Sequence, residues 1–242
     1  MPYNNNTGLP LAQCWQDFHD VLDAGINKVV LYGPPGTGKT YAGLTYGLGD
    51  RPAFRLPCTE DMTDSEVRGA WMPSETGAFV WHNGQGTRAW ATGGRLVVDE
   101  VDRASGDVLS LLLAYTDSEA SASVDLPTGE TIRPYDGFSA ILTSNIESPD
   151  DLPTALRDRF PVALNINVPH PEALMTLPEH LRTVATAVVS AEPHRRASLR
   201  AFYAYDTLIK GGLSQERSAE LTFGKVRAEA IIEALRFGRL GA

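Results

Sequence analysis

Two cysteines, Cys14 and Cys58, are too few and too far apart in the chain for a disulfide framework, and five scattered histidines show no zinc-ligand spacing. Cys14 reads most simply as a core residue. No apolar stretch approaches the roughly 18 to 20 residues of a membrane-spanning helix. The polar opening Met1-Pro2-Tyr3-Asn4-Asn5-Asn6 is unlike a signal peptide, so the expectation is a cytoplasmic chain. Positive charge is scarce as well, with 21 Lys and Arg against 30 Asp and Glu and a net charge of −9. That balance works against a general affinity for nucleic acid, which needs a clustered excess of cations to neutralise phosphate; a local basic strip stays open. Repeats and low-complexity segments are absent too. What is present is 43% hydrophobic residues in a chain of 242, enough for one large domain or one domain with a small appendage.

The strongest local pattern is Gly33-Pro34-Pro35-Gly36-Thr37-Gly38-Lys39-Thr40, directly after the apolar run Val29-Val30-Leu31-Tyr32. Glycines let a backbone curl until several amide hydrogens point inward at phosphate oxygens, and a helix starting near Lys39 adds its positive dipole end. Lys39 is placed to reach the β and γ phosphates of a nucleoside triphosphate, and the Thr40 hydroxyl to ligate Mg²⁺. A glycine-rich strand-to-helix turn is the plain alternative. The strand before and the helical pattern after favour the P-loop.

Pro10 to Ala24 reads as an amphipathic helix with Leu11, Cys14, Trp15, Phe18, Val21 and Leu22 on one face. Beyond the P-loop helix, which fades near Gly47-Leu48-Gly49, strands are expected at Ala53 to Leu56, Arg95 to Glu100, Ser139 to Thr143 and Val162 to Ile166. Apolar strands without alternation, separated by helical patterns, indicate a parallel sheet covered on both faces. The fold class is therefore α/β, a P-loop αβα sandwich with a five-stranded parallel sheet. From about Pro171 only helical periodicity remains, with Leu181, Val184, Ala185 and Val188 on one face and Leu199, Phe202, Tyr205 and Ile209 on another. Gly211-Gly212 and Gly224 break this region, and Lys225 to Phe237 is the last helix. The domains expected are 1–168, nucleotide-binding, and 169–242, a small all-helical lid.

Three further motifs carry chemistry. In Leu96-Val97-Val98-Asp99-Glu100, a carboxylate at the end of a buried strand can face the P-loop. Asp99 would hold Mg²⁺ through a water, and Glu100 would orient or deprotonate an attacking water. Two acids can also simply cap a strand. In Thr143-Ser144-Asn145, an uncharged amide can hydrogen-bond both phosphate and water, although an Asn after a strand is often only a turn residue. In Leu156-Arg157-Asp158-Arg159-Phe160, an arginine offered to a neighbour's γ-phosphate would stabilise transition-state charge, whereas surface arginines beside an Asp more often form weak solvated pairs.

The order and spacing of these motifs, with Val97 to Ala104, Leu142 to Asn145 and Leu152 to Phe160, resemble an AAA+ ATPase of the MoxR-like branch, NorQ/CbbQ and GvpN types included, with dynein-related modules as relatives. The resemblance spans about residues 10 to 238. It implies ATP and Mg²⁺ as cofactors, Lys39 and Thr40 as Walker A, Asp99 and Glu100 as Walker B, and Asn145 as sensor 1. Arg159 would be the finger acting in trans, with Arg157 a second candidate. Ala197-Ser198-Leu199-Arg200-Ala201 resembles the family's Ser-Pro-Arg sensor 2 element, so Arg200 would touch the γ-phosphate from the lid; Leu199 stands where the family often has Pro. Arg103 takes the place of a family Asn-Arg pair near the subunit interface, with Asp102 replacing the Asn, and a buried salt bridge is the other reading of it.

Glu60 to Trp90 is where this branch inserts a hairpin facing the ring's pore. Trp71, Phe79, Trp81 and Trp90 could grip a client there or pack in the core. Val124 to Ile132 has the look of a second hairpin. The expectation is a homo-oligomeric ring, a hexamer, that remodels, activates or assembles a protein client or works with an adaptor, often alongside a partner bearing a von Willebrand A domain. A nucleic-acid motor or loader is the competing reading, but Met72 to Trp81 carries Glu75 and no Lys or Arg. A nucleotide-dependent scaffold with little turnover is the third.

Overall fold

A computed structural model describes residues 11–118, 120–191 and 196–240. Pro10, taken as the start of the first helix, lies outside them. The helices are α1 Gln13–Asp23, α2 Lys39–Thr45, α3 Asp64–Val67, α4 Gln85–Thr92, α5 Gly106–Tyr115, α6 Thr154–Arg159, α7 Pro171–Met175, α8 Glu179–Val189, α9 Leu199–Lys210, α10 Gln215–Phe223 and α11 Lys225–Leu240. The strands are β1 Lys28–Tyr32, β2 Ala53–Pro57, β3 Gly69–Pro73, β4 Phe79–Asn83, β5 Arg95–Asp99, β6 Val124–Asp125, β7 Thr131–Ile132, β8 Ser139–Thr143 and β9 Val162–Asn165. Two compact units emerge. Of the described residues, one holds those of Phe18–Gly33 and Lys39–Asn165; the other holds those up to Asp17, Pro34–Gly38 and those from Ile166.

In the first unit the five-stranded sheet runs β2-β5-β8-β1-β9, all pairs parallel. Side chains of consecutive strand residues point to opposite faces, so the apolar strands divide into two sets. Val30, Leu96, Val98, Ala140 and Leu142 join Trp90, Leu112 and Tyr115 in one core. On the other face Val97 and Ile141 meet α2 at Gly43, where an added Cβ would already be in ordinary contact with both. The middle strands β5 and β8 are buried throughout, while the edge strands β2 and β9 alternate. That alternation departs from the expectation of uniformly apolar strands, and its cause is position: each edge strand keeps one face partly in water. Glu100, read as strand, lies beyond β5 and turns the chain instead.

One buried cation of this unit is matched largely by backbone carbonyls. Arg95, 2% exposed, donates from Nε to Ser139 and from Nη1 to the carbonyls of Gly43 and Tyr46, and so caps the C-terminal end of α2. Burial pulls its pKa down to about 10.

The antiparallel pair β3–β4 sorts the four aromatics. Trp90 is fully buried, whereas Trp71 and Phe79 are 47% and 66% exposed, and Trp81 is half-buried with its ring edge-on to Trp71. A core reading therefore holds for Trp90 alone. The second hairpin is β6–β7.

The second unit packs α7 to α11 around Leu181, Ala185, Leu199, Phe202, Phe223 and Ile231. Phe202 and Phe223 lie 4.9 Å apart between ring centres. Leu199 is 2% exposed, so its side chain anchors the start of α9 in this core. Trp15 donates from Nε1 to the Val168 carbonyl at 2.9 Å, and Cys14 is half-buried rather than a full core residue.

Candidate nucleotide site

The turn between β1 and α2 has the backbone that only its glycines allow. Gly36 and Gly38 take φ of 79° and 102°, in the left-handed region that L side chains rarely adopt. A Cβ on Gly36 would come 3.0 Å from Ser198 Cβ and 3.1 Å from the Leu199 nitrogen, and one on Gly38 would come 3.2 Å from His170 Cβ. The beginnings of α7 and α9 thus lie directly on this turn, within the same unit. Arg200, on the first turn of α9, is exposed. Thr37 is buried and donates its hydroxyl to the Pro34 carbonyl, closing the loop on itself.

Lys39, the first residue of α2, is 6% exposed. Its Nζ donates to the Gly33 carbonyl at 2.8 Å and to Asn145 Oδ1 at 3.2 Å. The other end of that amide, Asn145 Nδ2, donates to Glu100 Oε1 at 3.3 Å. Asn145 therefore spans a cation and an anion with the matching end turned to each. Glu100 is held from a second side by Arg103 Nε, 3.2 Å from Oε2. Glu100 is also the one non-glycine among the described residues with positive φ, at 57°. Such a conformation in a glutamate costs on the order of 1 kcal/mol or more and persists where surroundings over-determine it, commonly at functional sites.

Asp99 ends β5 and is 6% exposed. Its Oδ1 accepts from Thr40 Oγ1 and from Thr143 Oγ1, each at 2.6 Å. Thr143 Oγ1 in turn accepts the Glu100 amide at 3.2 Å, so one hydroxyl ties the two acids together. Burial alone would raise the Asp99 pKa, but hydrogen bonds from Thr143, Thr40 and Arg55, together with the Arg55 charge, hold it below the usual carboxylate range. Nearby, burial foremost and then the charges of Asp99, Asp102 and Glu100 push the Cys58 thiol up to about 12. Among the described residues no group of three or more His, Cys, Asp or Glu is placed to hold a metal. A hydroxyl and one carboxylate are nonetheless a fitting hard-oxygen donor pair for Mg²⁺, which keeps waters and phosphate oxygens in its shell.

Lys39, Thr40, Asp99, Glu100 and Asn145 are thus brought together. Arg157 and Arg159, at the end of α6, bond elsewhere. Arg157 pairs with Asp150, and its Nε is buried without a hydrogen-bond partner. Arg159 donates from Nε to the Leu113 carbonyl and from Nη1 to that of Ala155, both at 3.1 Å, with Asp117 at 3.8 Å. The Arg103 ion pair is present but lies at the surface rather than buried, its side chains 58% and 39% exposed, because only Val101 of the 3-10 turn Val101–Arg103 enters the core. Asp102 accepts from the Ser144 hydroxyl.

Two participants carry little signal of their role in the sequence. Thr143 precedes Asn145 simply as a strand residue. Arg55 is a cation inside β2, and its one sequence signal is its place between the apolar Phe54 and Leu56.

A parallel sheet with a glycine loop after β1, and with acids and an amide at the carboxyl ends of the neighbouring strands, defines a P-loop nucleotide-binding protein. The AAA domain of the dynein-related subfamily matches residues 28–160, and the chain belongs to that family. No curated protein matches it. Among solved structures, a candidate ATPase from Cytophaga hutchinsonii ATCC 33406 is 17% identical with a TM-score of 0.47, over 86% of this chain and 68% of that one. At that level of likeness nothing passes from it to this chain. No helix of the described residues is long and apolar enough to cross a membrane.

Proposed function

We propose that this chain is a Mg²⁺-dependent ATPase of the MoxR-like branch, acting as a cytoplasmic homo-oligomeric ring, a hexamer, on a protein client or adaptor, von Willebrand A partners included. The observation that carries the reading is the bridge from Lys39 through Asn145 to Glu100, beside Thr40 on Asp99. In this reading residues 1–168 bind nucleotide and 169–242 form the lid.

The P-loop amides and Lys39 hold the β and γ phosphates. Thr40 and Asp99 would hold Mg²⁺, which would supply neutralisation of the phosphate charge. Glu100 takes the proton of the attacking water, and Asn145 hydrogen-bonds both that water and the γ-phosphate without repelling either. Arg159 of a neighbouring chain, or Arg157, meets the developing charge; Arg159 first has to leave the carbonyls of Leu113 and Ala155. Arg200 serves as sensor 2. The exposed Trp71, Met72, Phe79 and Val80 on a hairpin tip region without Lys or Arg favour a protein client over nucleic acid.

ATPase rate followed against protein concentration, with light scattering for mass, tests the shared site. Specific activity should rise steeply with assembly and fall by roughly tenfold or more in Arg159→Ala rings of parent size. Activity independent of concentration and indifferent to Arg159 would point to a self-contained site.

A further inference from the structure

Asp99 already carries a cation. Its Oδ1 is taken by two neutral hydroxyls, while Oδ2 accepts from Arg55 Nε at 3.0 Å and from Nη2 of the same guanidinium. The two are unlike in burial, the Asp99 side chain being 8% exposed and that of Arg55 52%. The carboxylate is anchored at the end of a central strand, and the guanidinium reaches in from the sheet's edge.

Register brings this about. Arg55 pairs with Val97, and Pro57 with Asp99, so Arg55 sits two residues back on the neighbouring strand, on the face that Asp99 shares. Phe54 and Leu56 point the other way into the core. An edge strand is the one place in this sheet where a long cationic side chain can reach a strand-end acid and still keep contact with water. Two donors of a planar fork on a single oxygen form a strong, directed pair that a lysine would not reproduce.

We propose that Arg55 is the resident countercation of Asp99, a positioning residue that neutralises the carboxylate while no metal is held and must withdraw before a divalent cation can be held there. Arg55 thereby sets the metal affinity of the site. The inference rests on the reading of Thr40 and Asp99 as the metal-holding pair. Withdrawal is feasible because the guanidinium is already half in water, whereas Lys39, at 6% exposed, stays in place. The pairing also predicts opposite responses in two measurements. With Arg55 removed, an uncompensated Asp99 attracts a divalent cation more strongly and repels metal-free phosphates.

The experiment uses the full chain, with Mn²⁺ as the probe, read by electron paramagnetic resonance in the presence of ADP, and with ADP binding in EDTA measured separately. Arg55→Met should bind Mn²⁺ about fivefold more tightly, the scale of a partly exposed, hydrogen-bonded ion pair. Its ADP affinity in EDTA should fall, with unchanged or tighter ADP binding counting against the proposal, and Arg55→Lys should lie between Arg55→Met and parent in both measurements. Arg55→Gln serves if Arg55→Met fails to fold. Unchanged or weaker Mn²⁺ binding in the neutral variants overturns the proposal, because a merely structural arginine would lower both affinities together. Asp99→Asn separates the two claims. If the parent binds no Mn²⁺ with ADP, or if Asp99→Asn binds it equally well, the metal-site reading itself fails and the role of Arg55 fails with it.

Discussion

Glu100→Gln should lower steady-state ATP turnover by about a thousandfold, within the range contributed by a positioned general base, while nucleotide still binds. The substitution keeps shape, backbone and an acceptor for Asn145 Nδ2, and removes only the ability to take a proton. The ion pair it loses, to Arg103, is largely in water, so stability should change by less than about 1 kcal/mol. The strained φ of 57° is carried by Gln as it is by Glu. Phosphate release, a fluorescent-nucleotide titration and a melting curve measure the three quantities on one preparation. A variant that turned over ATP as fast as the parent would remove Glu100 from the chemistry and leave its conformation without a function.

The largest effect on the fold is expected at Trp90. Its ring is fully buried, 4.5 Å from that of Tyr115 and edge-on to Phe138 at 6.2 Å, and its Nε1 donates to the Tyr115 carbonyl at 3.1 Å. Trp90→Ala removes this packing and leaves a cavity and an unpaired carbonyl, which together should cost about 3–5 kcal/mol. Phe79→Ala, on the exposed hairpin, should stay within about 0.5 kcal/mol. Denaturant unfolding of the two variants side by side gives the comparison, and equal losses would contradict the division of the aromatics between core and surface.

That division was not legible beforehand, since an aromatic residue has the same side chain whether it packs or protrudes. The strand pairing that lifts Trp71 and Phe79 away from Trp90 had to be seen. Central strands were legible because β5 and β8 are buried on both faces and must be apolar throughout, whereas the edge strands β2 and β9 answer to water on one side and broke the expected pattern. Within the candidate site, Lys39, Thr40, Asp99, Glu100 and Asn145 could be read because each ends or follows a strand in a recognisable order. Arg55 could not, because its meaning depends on the register of β2 against β5, a relation between segments some 40 residues apart. Arg157 and Arg159 are a similar case: their partners Asp150, Leu113 and Ala155 follow from how a six-residue helix docks, which local pattern does not reveal.

In the proposed function one site, anchored by Lys39, binds ATP and hydrolyses it. Phosphate release from ATP, measured with and without Mg²⁺ for the parent and for Lys39→Ala, with circular dichroism to confirm that both fold, tests it most directly. Saturable, Mg²⁺-dependent release by the parent and none above background from the variant are the expected results. Equal release by both chains, or a folded parent that binds no nucleotide, would contradict that function.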